Sequence, residues 1–423
     1  MNAIVQKYGG SSVKSLGAIE KIASSIASLH KSGKKVACVV SAMGDTTDEL
    51  LRLGYSVNTE AQGRDLDLLL SSGECVTAAL MSLALQKLNI PSVAFTGSQS
   101  GIQTDSVHGN ARITNIDPNP VLRELDQGKV VVATGFQGEH RETKSITTLG
   151  RGGSDLSAVA LAVALRADRC ELYKDVDGIY SADPKVVPTA TIISHLNWAT
   201  LSKMAWAGAS VMHARAVECA EKCKMPIHVR SGESLNRTGT LIDGRIDMEM
   251  MRAEAIAHRL GMSLIRVRLS SLECQPEFLA QELMWFWQKG EAPAVTHQTV
   301  EPNGSVVLTL LFSSHLLQSY LHRLGNGVNG CIGIPVVEQT LEGLACVTVV
   351  GTGLKQSPET FLKIMQALSG RPHFLETQNS SVVLVVNESV ANQTLNSLHA
   401  ALFESEENLD SLETEKTLVQ SNA

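Results

Sequence analysis

Five short β-branched runs within the first 243 residues constrain the fold more than any other feature. They are VACVVSA (36–42), SVAFTG (92–97), VVVATGF (130–136), CELYKDV (170–176) and PIHVRS (226–231). Most are apolar on both faces, as a strand is only in the middle of a sheet covered on both sides. Helical stretches lie between them, from Leu16 to His30, Ala78 to Leu88, Asp155 to Arg166 and Leu201 to Cys223. Strand and helix in alternation predict an α/β sandwich with a parallel sheet.

After the polar stretch 232–250 the pattern changes. SLIRVRL (263–269) precedes a helical segment at 276–290, followed by SVVLTLLF (305–312), a helix near His315 to Leu324 and the strand IGIPVVEQ (332–339). A similar cycle restarts with ACVTVVG (345–351), a helix from Pro358 to Leu368, strands near His373 to Thr377 and Ser381 to Val386, and a helix from Ala391 to Phe403. Two successive βαββα cycles suggest a tandem repeat of a small regulatory-type fold. The expected domains are 1–245, 255–340 and 341–405, with a polar tail at 406–423 that frays.

A chain of 423 residues is too long for one core, so several domains are expected. The net charge of −7, without a basic stretch, argues against nucleic-acid binding. The start, MNAIVQKYGG, lacks the charged and apolar regions of a secretory signal. The helical apolar run Ala158 to Leu165 is too short to span a bilayer. Eight cysteines without framework spacing read as reduced thiols of a cytoplasmic protein. Cys219 and Cys223, with His213 and His228 nearby, raise the question of zinc. There is no CxxC pair, however, and the stretch reads as a helix, so the thiols are taken as packing residues and no metal ligand is named.

Three glycine-bearing turns follow strands and precede helices: KYGGSSV (7–13), VVSAMGDTTDEL (39–50) and LGRGGSD (149–155). Glycine lets backbone N–H groups approach an anion closely, and the helix N-terminus adds partial positive charge. Lys7 adds a full charge on the first turn. Turns from parallel strands converge at one sheet edge, where open α/β folds bind ligands. Neither GxxxxGK[ST] nor GxGxxG is present, so a P-loop or a dinucleotide fingerprint is not supported.

Together with LLLSSGE (68–74), GIQTDSVHGNARI (101–113), GFQG (135–138), DVDGIYSADP (175–184) and GASVMHARAVE (208–218), these turns resemble the successive signatures of aspartate kinases in family order. The tandem repeat resembles that family's paired ACT domains. The resemblance implies a three-layer αβα sandwich of the amino-acid kinase type followed by two ferredoxin-like, ACT-like α+β domains. It implies transfer of phosphate from ATP, with Mg²⁺, to the β-carboxylate of L-aspartate. It also implies a homodimer through the ACT-like domains, with no nucleic-acid or membrane partner. The acceptor carboxylate is already ionised near neutral pH, so no general base is needed. The obstacle is charge repulsion, and catalysis reduces to positioning and electrostatic stabilisation.

On this resemblance Lys7 and Asp155 are catalytic. Lys7, Gly9 and Gly10 hold the transferring phosphoryl group, and Ser41 and Thr47 are substrate-binding residues that flank the substrate and phosphate region. Glu74 meets the substrate ammonium, and the planar fork of Arg151 suits its carboxylate. Asp155 orients Lys7 or the substrate ammonium, and its position also suits the N-cap of the following helix. Asp175, Tyr180 and Lys174, with Asp177, belong to the nucleotide pocket, with Lys185 near the phosphates. Departures from the family are Lys174 for threonine, Lys185 for arginine, Ser210 for a lysine that contacts ATP phosphates, and Ala214 for proline. Lys174 is expected to replace the charge lost at Ser210. In Cys274-Gln275-Pro276-Glu277 and Gln356-Ser357-Pro358-Glu359, glutamate stands where an ACT domain has its effector-site glycine. Lysine and threonine are therefore expected to inhibit weakly or not at all. Two alternatives stay open: a kinase of another small carboxylate on the same fold, and a weakly active or non-catalytic paralogue.

Overall fold

The computed structural model describes residues 3–209, 212–232, 237–244, 252–269, 275–325 and 335–404. They fall into two compact units. The first holds the described residues up to Tyr180, Ile192–Ala205 and those from 212 to 244. The second holds Ser181–Thr191, Trp206–Ala209 and those from 252 onward.

In chain order the first unit contains β1 (Ala3–Tyr8), α1 (Leu16–Lys31), β2 (Lys35–Val40), α2 (Thr46–Val57), α3 (Arg64–Lys87), β3 (Ser92–Phe95), β4 (Ile102–Thr104) and β5 (Ile113–Ile116). It continues with α4 (Asn119–Asp126), β6 (Val130–Thr134), β7 (Gln137–His140), β8 (Ile146–Thr148), α5 (Gly153–Ala164), β9 (Arg169–Lys174), β10 (His195–Asn197), α6 (Trp198–Trp206), α7 (Ala214–Cys223), β11 (Ile227–Ser231) and β12 (Thr240–Asp243).

Eight strands form the main sheet in the order β10-β12-β11-β9-β1-β2-β6-β3. The five apolar runs are its parallel core, and β1 pairs in parallel with β2 on one side and β9 on the other. Along β2, Val36, Cys38 and Val40 face a core shared with Ile19 and Ile22 of α1 and Met81 of α3. Helix α5 covers the opposite face against β1, β2 and β9, and α7 packs on α5. This is a three-layer αβα sandwich. A second sheet, β5-β4-β7-β8, was not evident in the sequence because its strands are three or four residues long and partly polar.

Two helices differ from expectation. Helix α3 starts at Arg64 rather than Ala78, because its buried face carries Asp67, Ser71, Gly73, Glu74 and Thr77, which hide the apolar periodicity. It is also long and apolar enough to cross a membrane by length and composition, yet half of that stretch is buried in the fold. The single helix expected over Leu201 to Cys223 is two helices, α6 and α7. Gly208, at φ +107°, stands just past the end of α6, where a side chain would be strained.

The second unit contains β13 (Arg252–Leu269), α8 (Gln275–Gln288), β14 (Val295–Val300), β15 (Val306–Ser313), α9 (Leu317–Gly325), β16 (Val336–Thr352), α10 (Pro358–Ala367), β17 (Phe374–Gln378), β18 (Ser381–Asn387) and α11 (Glu388–His399). The chain order is two βαββα cycles, but the cycles do not close as separate sheets. One six-stranded sheet runs β14-β15-β13-β16-β18-β17. The second half of β13 pairs with β15, while its first half pairs with the end of β16, from Arg252↔Thr352 to Arg259↔Cys346. The second half of β16 pairs in turn with β18. Each long strand thus completes the other cycle's sheet, and a sequential division at 340/341 cuts through a shared element. Separate cores lie under the two halves, one around Phe278, Phe286, Phe312 and Tyr320, the other around Val347, Val349, Leu384 and Leu395.

The expected boundary at 245 is also incomplete. Ala182 and Val187 belong to the second of these cores, and Ser181 Oγ lies 2.9 Å from His399 Nε2. At α10 the Ser357 hydroxyl accepts from the Thr360 N–H, Pro358 opens the helix and Glu359 stands in its first turn. In the first cycle Cys274 and the side chains of Gln275, Pro276 and Glu277 lie outside the described residues.

Candidate active site

The carboxyl ends of β1, β2 and β9 bring the site together. Register pairs Tyr8 with both Val40 and Tyr173, so Lys7, Ser41 and Lys174 all reach one sheet edge. The Tyr8 and Tyr173 rings stack at 4.6 Å. Beneath them Gln6 donates to Glu171 at 2.8 Å, and Arg169 donates to the same carboxylate at 2.7 Å. Burial would raise the Glu171 carboxyl, but the hydrogen bonds from Gln6 and Arg169 outweigh it and hold it low. This paired network gives the site a rigid polar floor.

Two glycines of the first turn are bare for visible reasons. A Cβ on Gly10 would stand 2.9 Å from the Ala42 carbonyl and 3.0 Å from that of Gly44, because the two turns lie against each other. A Cβ on Gly9 would sit 3.2 Å from Lys7 Nζ. The Lys7 ammonium lies 2.7 Å from Asp155 Oδ1, and Lys174 donates to Asp155 Oδ2 at 2.6 Å. Burial tends to raise the Asp155 carboxyl, but Lys174 and Lys7 together hold it well below the usual carboxylate range. Burial lowers the Lys7 ammonium, Asp155 raises it and the neighbouring charge of Lys174 lowers it, with a net fall.

The capping reading of Asp155 is corrected. Gly152, at φ +68°, is the N-cap of α5, the helix begins at Gly153, and Asp155 lies inside the first turn with its side chain directed to the lysines. Gly152 also allows close contact with α7, since a Cβ there would meet His213 Cβ at 2.3 Å.

Glu74 is buried on α3 and accepts from the Ala42 N–H at 3.0 Å, which ties it to the second turn. Its other oxygen, Oε2, is buried without a hydrogen-bond partner among the described residues, and burial pushes the carboxyl up to about 7. Arg151 is exposed at the tip of the third turn and makes no hydrogen bond or ion pair among the described residues. Ser41 is half-buried, its N–H donating to Tyr8 O, and Thr47 is half-buried in the first turn of α2.

The remaining expected residues have other settings or lie outside the described residues. Asp175 is exposed, Asp177 pairs with Arg237, and Tyr180 forms a backbone bridge with Ile192. Lys185 is exposed and falls in the second unit. Ser210 lies outside the described residues. Cys219 and Cys223 sit on α7, and no group of three metal-ligating side chains occurs among the described residues.

Sequence reasoning missed two positioning residues. Buried Asp67 accepts from Gly109 N, Thr148 N and Thr148 Oγ1, the last at 2.6 Å, and lies 2.7 Å from His108 Nδ1. It ties the 105–112 loop and β8 to α3. Asp67 and Glu74 are both buried on α3, two turns apart. Two carboxylates on the inner side of an apolar helix were the available signal. Arg215 donates to Leu149 O, Asn110 Oδ1 and Ala111 O, pinning the 109–111 and 149–153 turns to each other.

The sandwich with glycine-rich turns at its carboxyl edge defines a small-molecule kinase class, and the model of the amino acid kinase family matches residues 2–231. An aspartokinase from Mycolicibacterium smegmatis is 34% identical over 409 residues, 95% of this chain and 96% of its own length. One from Corynebacterium glutamicum is 47% identical over 247 residues, 58% of each chain. The crystal structure of E. coli aspartokinase III in complex with aspartate and ADP (R-state) shares the fold. Its TM-score is 0.78 at 24% identity, covering 95% of this chain and 99% of that one. The chain belongs to the amino acid kinase family and, within it, to the aspartokinases.

Proposed function

We propose that the chain transfers the γ-phosphoryl group of Mg·ATP to the β-carboxylate of L-aspartate, giving 4-phospho-L-aspartate and ADP. A carboxylate oxygen bonds to phosphorus, the bond from phosphorus to the bridging oxygen of ADP breaks, and no proton need move. The observation that carries the reading is the buried cluster of two lysines on one aspartate beside the glycine turns. It concentrates positive charge where phosphoryl charge must be stabilised and contains no positioned general base. Aspartate as the acceptor rests on the full-length relatives named as aspartokinases. Asp155 is occupied by two ammoniums, so the magnesium would arrive with the nucleotide, held by phosphate oxygens.

Purified protein with Mg·ATP, hydroxylamine trapping and a panel of aspartate, glutamate and acetylglutamate tests this. Aspartyl hydroxamate is expected. A product from glutamate or acetylglutamate alone would establish the other carboxylate kinase, and none from any acid the non-catalytic paralogue.

The guanidinium of Arg151, without a partner among the described residues, is assigned to the substrate α-carboxylate. Arg151→Ala is expected to raise the aspartate KM by about 30-fold, roughly 2 kcal/mol, with the ATP KM little changed. Equal losses for both substrates in initial-rate kinetics would remove it from this role. A homodimer is assigned to the second unit, where Leu283, Met284 and Trp287 are exposed on α8, and the location to the cytoplasm. Glu359 stands in the first turn of α10, where an acidic side chain disfavours an effector carboxylate. Titrating lysine and threonine, singly and together, should give weak inhibition or none. Strong inhibition below millimolar concentration would overturn this.

A further inference from the structure

Lys174 is the first residue of β9 beyond the Tyr8↔Tyr173 register pair, which delivers its side chain to the end of β1 rather than to the exposed Asp175 that follows. Its ammonium and that of Lys7 meet on the two oxygens of one carboxylate, at 2.6 and 2.7 Å. The three side chains are only 17% (Lys174), 7% (Lys7) and 4% (Asp155) exposed. One carboxylate cannot neutralise two ammoniums, so the cluster holds an excess positive charge where water hardly enters. Such a charge is costly to bury without a counter-ion.

Among the described residues no second carboxylate pairs with either lysine. Asp155 Oδ1 has the Lys7 ammonium at 2.7 Å, and that one contact leaves further N–H donors on Lys7. Gly9 keeps the space beside Lys7 Nζ open. Gly232 donates to Lys174 O at 2.7 Å, and a Cβ there would be 2.5 Å from Ser12 Oγ, a buried hydroxyl without a partner among the described residues. From α7, His213 adds no negative charge, and burial lowers its imidazole.

We propose that Lys174 is a second phosphoryl-binding cation, sharing with Lys7 the charge of the transferring γ-phosphoryl group while Asp155 holds both ammoniums in place. This rests on the phosphotransfer reading above and adds to it a residue that contacts the phosphates rather than the base or ribose. A purely structural Lys174 would neutralise Asp155 and leave nucleotide affinity unchanged.

Calorimetric titration of wild-type, Lys174→Met and Lys174→Arg proteins with Mg·ATP and with adenosine separates these roles. Lys174→Met is expected to weaken Mg·ATP binding ~10- to 100-fold, leave adenosine binding and the aspartate KM within about two-fold, and lower kcat. Lys174→Arg is expected to recover most of the Mg·ATP affinity. Mg·ATP affinity within two-fold of wild type in Lys174→Met, or equal losses for Mg·ATP and adenosine, overturns the proposal. Acetylation of the wild-type protein, read by mass spectrometry, keeps the test open if Lys174→Met does not fold. Mg·ATP should protect Lys174 and adenosine should not; equal labelling under both rejects the assignment. A wild-type protein that binds no Mg·ATP would refute the phosphotransfer reading itself. One that binds it with Lys174 silent refutes only this inference.

Discussion

Asp155→Ala is expected to lower kcat by about 10³-fold or more and to destabilise the protein by about 3–5 kcal/mol at neutral pH. Removing the carboxylate leaves Lys7 and Lys174 facing each other in a buried space without the group that now contacts both. The pH dependence has a fixed sign. The folded carboxyl lies below its ordinary value, so its stabilisation is fully present above the ordinary carboxyl range and is lost as pH falls through the folded value. The carboxyl group's own contribution to the stability gap should therefore be constant from pH 6 to 8 and shrink only in strong acid. Asp155→Asn keeps the shape without the charge and should recover part of the stability but little of the rate. Denaturant titrations at neutral and acid pH, with single-turnover rates, measure both effects. A variant retaining kcat within tenfold would show that Asp155 only shapes the helix start.

The glycine-bearing turns were legible because their signal is local. Glycine, lysine and aspartate at fixed offsets between an apolar run and a helix reflect backbone geometry that the next few residues determine. Lys174 was legible as a cation of the nucleotide region that replaces the charge lost at Ser210, but its contact with Asp155 was not. Only strand register, one residue beyond Tyr8↔Tyr173, brings it to that carboxylate. Asp155 looked like a cap because the positive φ of Gly152 that moves the helix start forward is invisible in composition. The exchange between β13 and β16 was hidden for a different reason. Each strand runs on through a polar middle, at His258-Arg259-Leu260-Gly261 and at Leu341-Glu342-Gly343, that reads as a break between domains. Asp67 was missed because a buried carboxylate with several donors is satisfied only by residues far away in the chain.

Glu74→Gln is expected to raise the aspartate KM about 100-fold and, at the same time, to make the unliganded protein more stable at alkaline pH. The two effects have one origin. Glu74 Oε1 is satisfied by Ala42, but Oε2 is buried with no hydrogen-bond partner among the described residues, a poor environment for a charge and a good one for an incoming ammonium. Burial raises the carboxyl from 4.5 to about 7 in the folded chain, which corresponds to roughly 3 kcal/mol. Between those values the folded state keeps a proton that the unfolded state has released. Stability therefore falls as pH rises through this window, and the full cost is present above about pH 7. Glutamine keeps an acceptor for Ala42 and never carries that charge, so the variant should match wild type near pH 4.5 and exceed it by about 2–3 kcal/mol at pH 8. Aspartate binding should show the reverse dependence. In wild type kcat/KM for aspartate falls as pH drops below about 7, because a protonated Glu74 offers the ammonium no charge, and in the variant this limb is absent. An aspartate KM unchanged in the variant, or a stability gain equal at pH 4.5 and pH 8, would remove Glu74 from ammonium recognition. We propose that the substrate ammonium relieves the cost of this buried carboxylate, which would tie the charge on α3 to substrate choice rather than to folding.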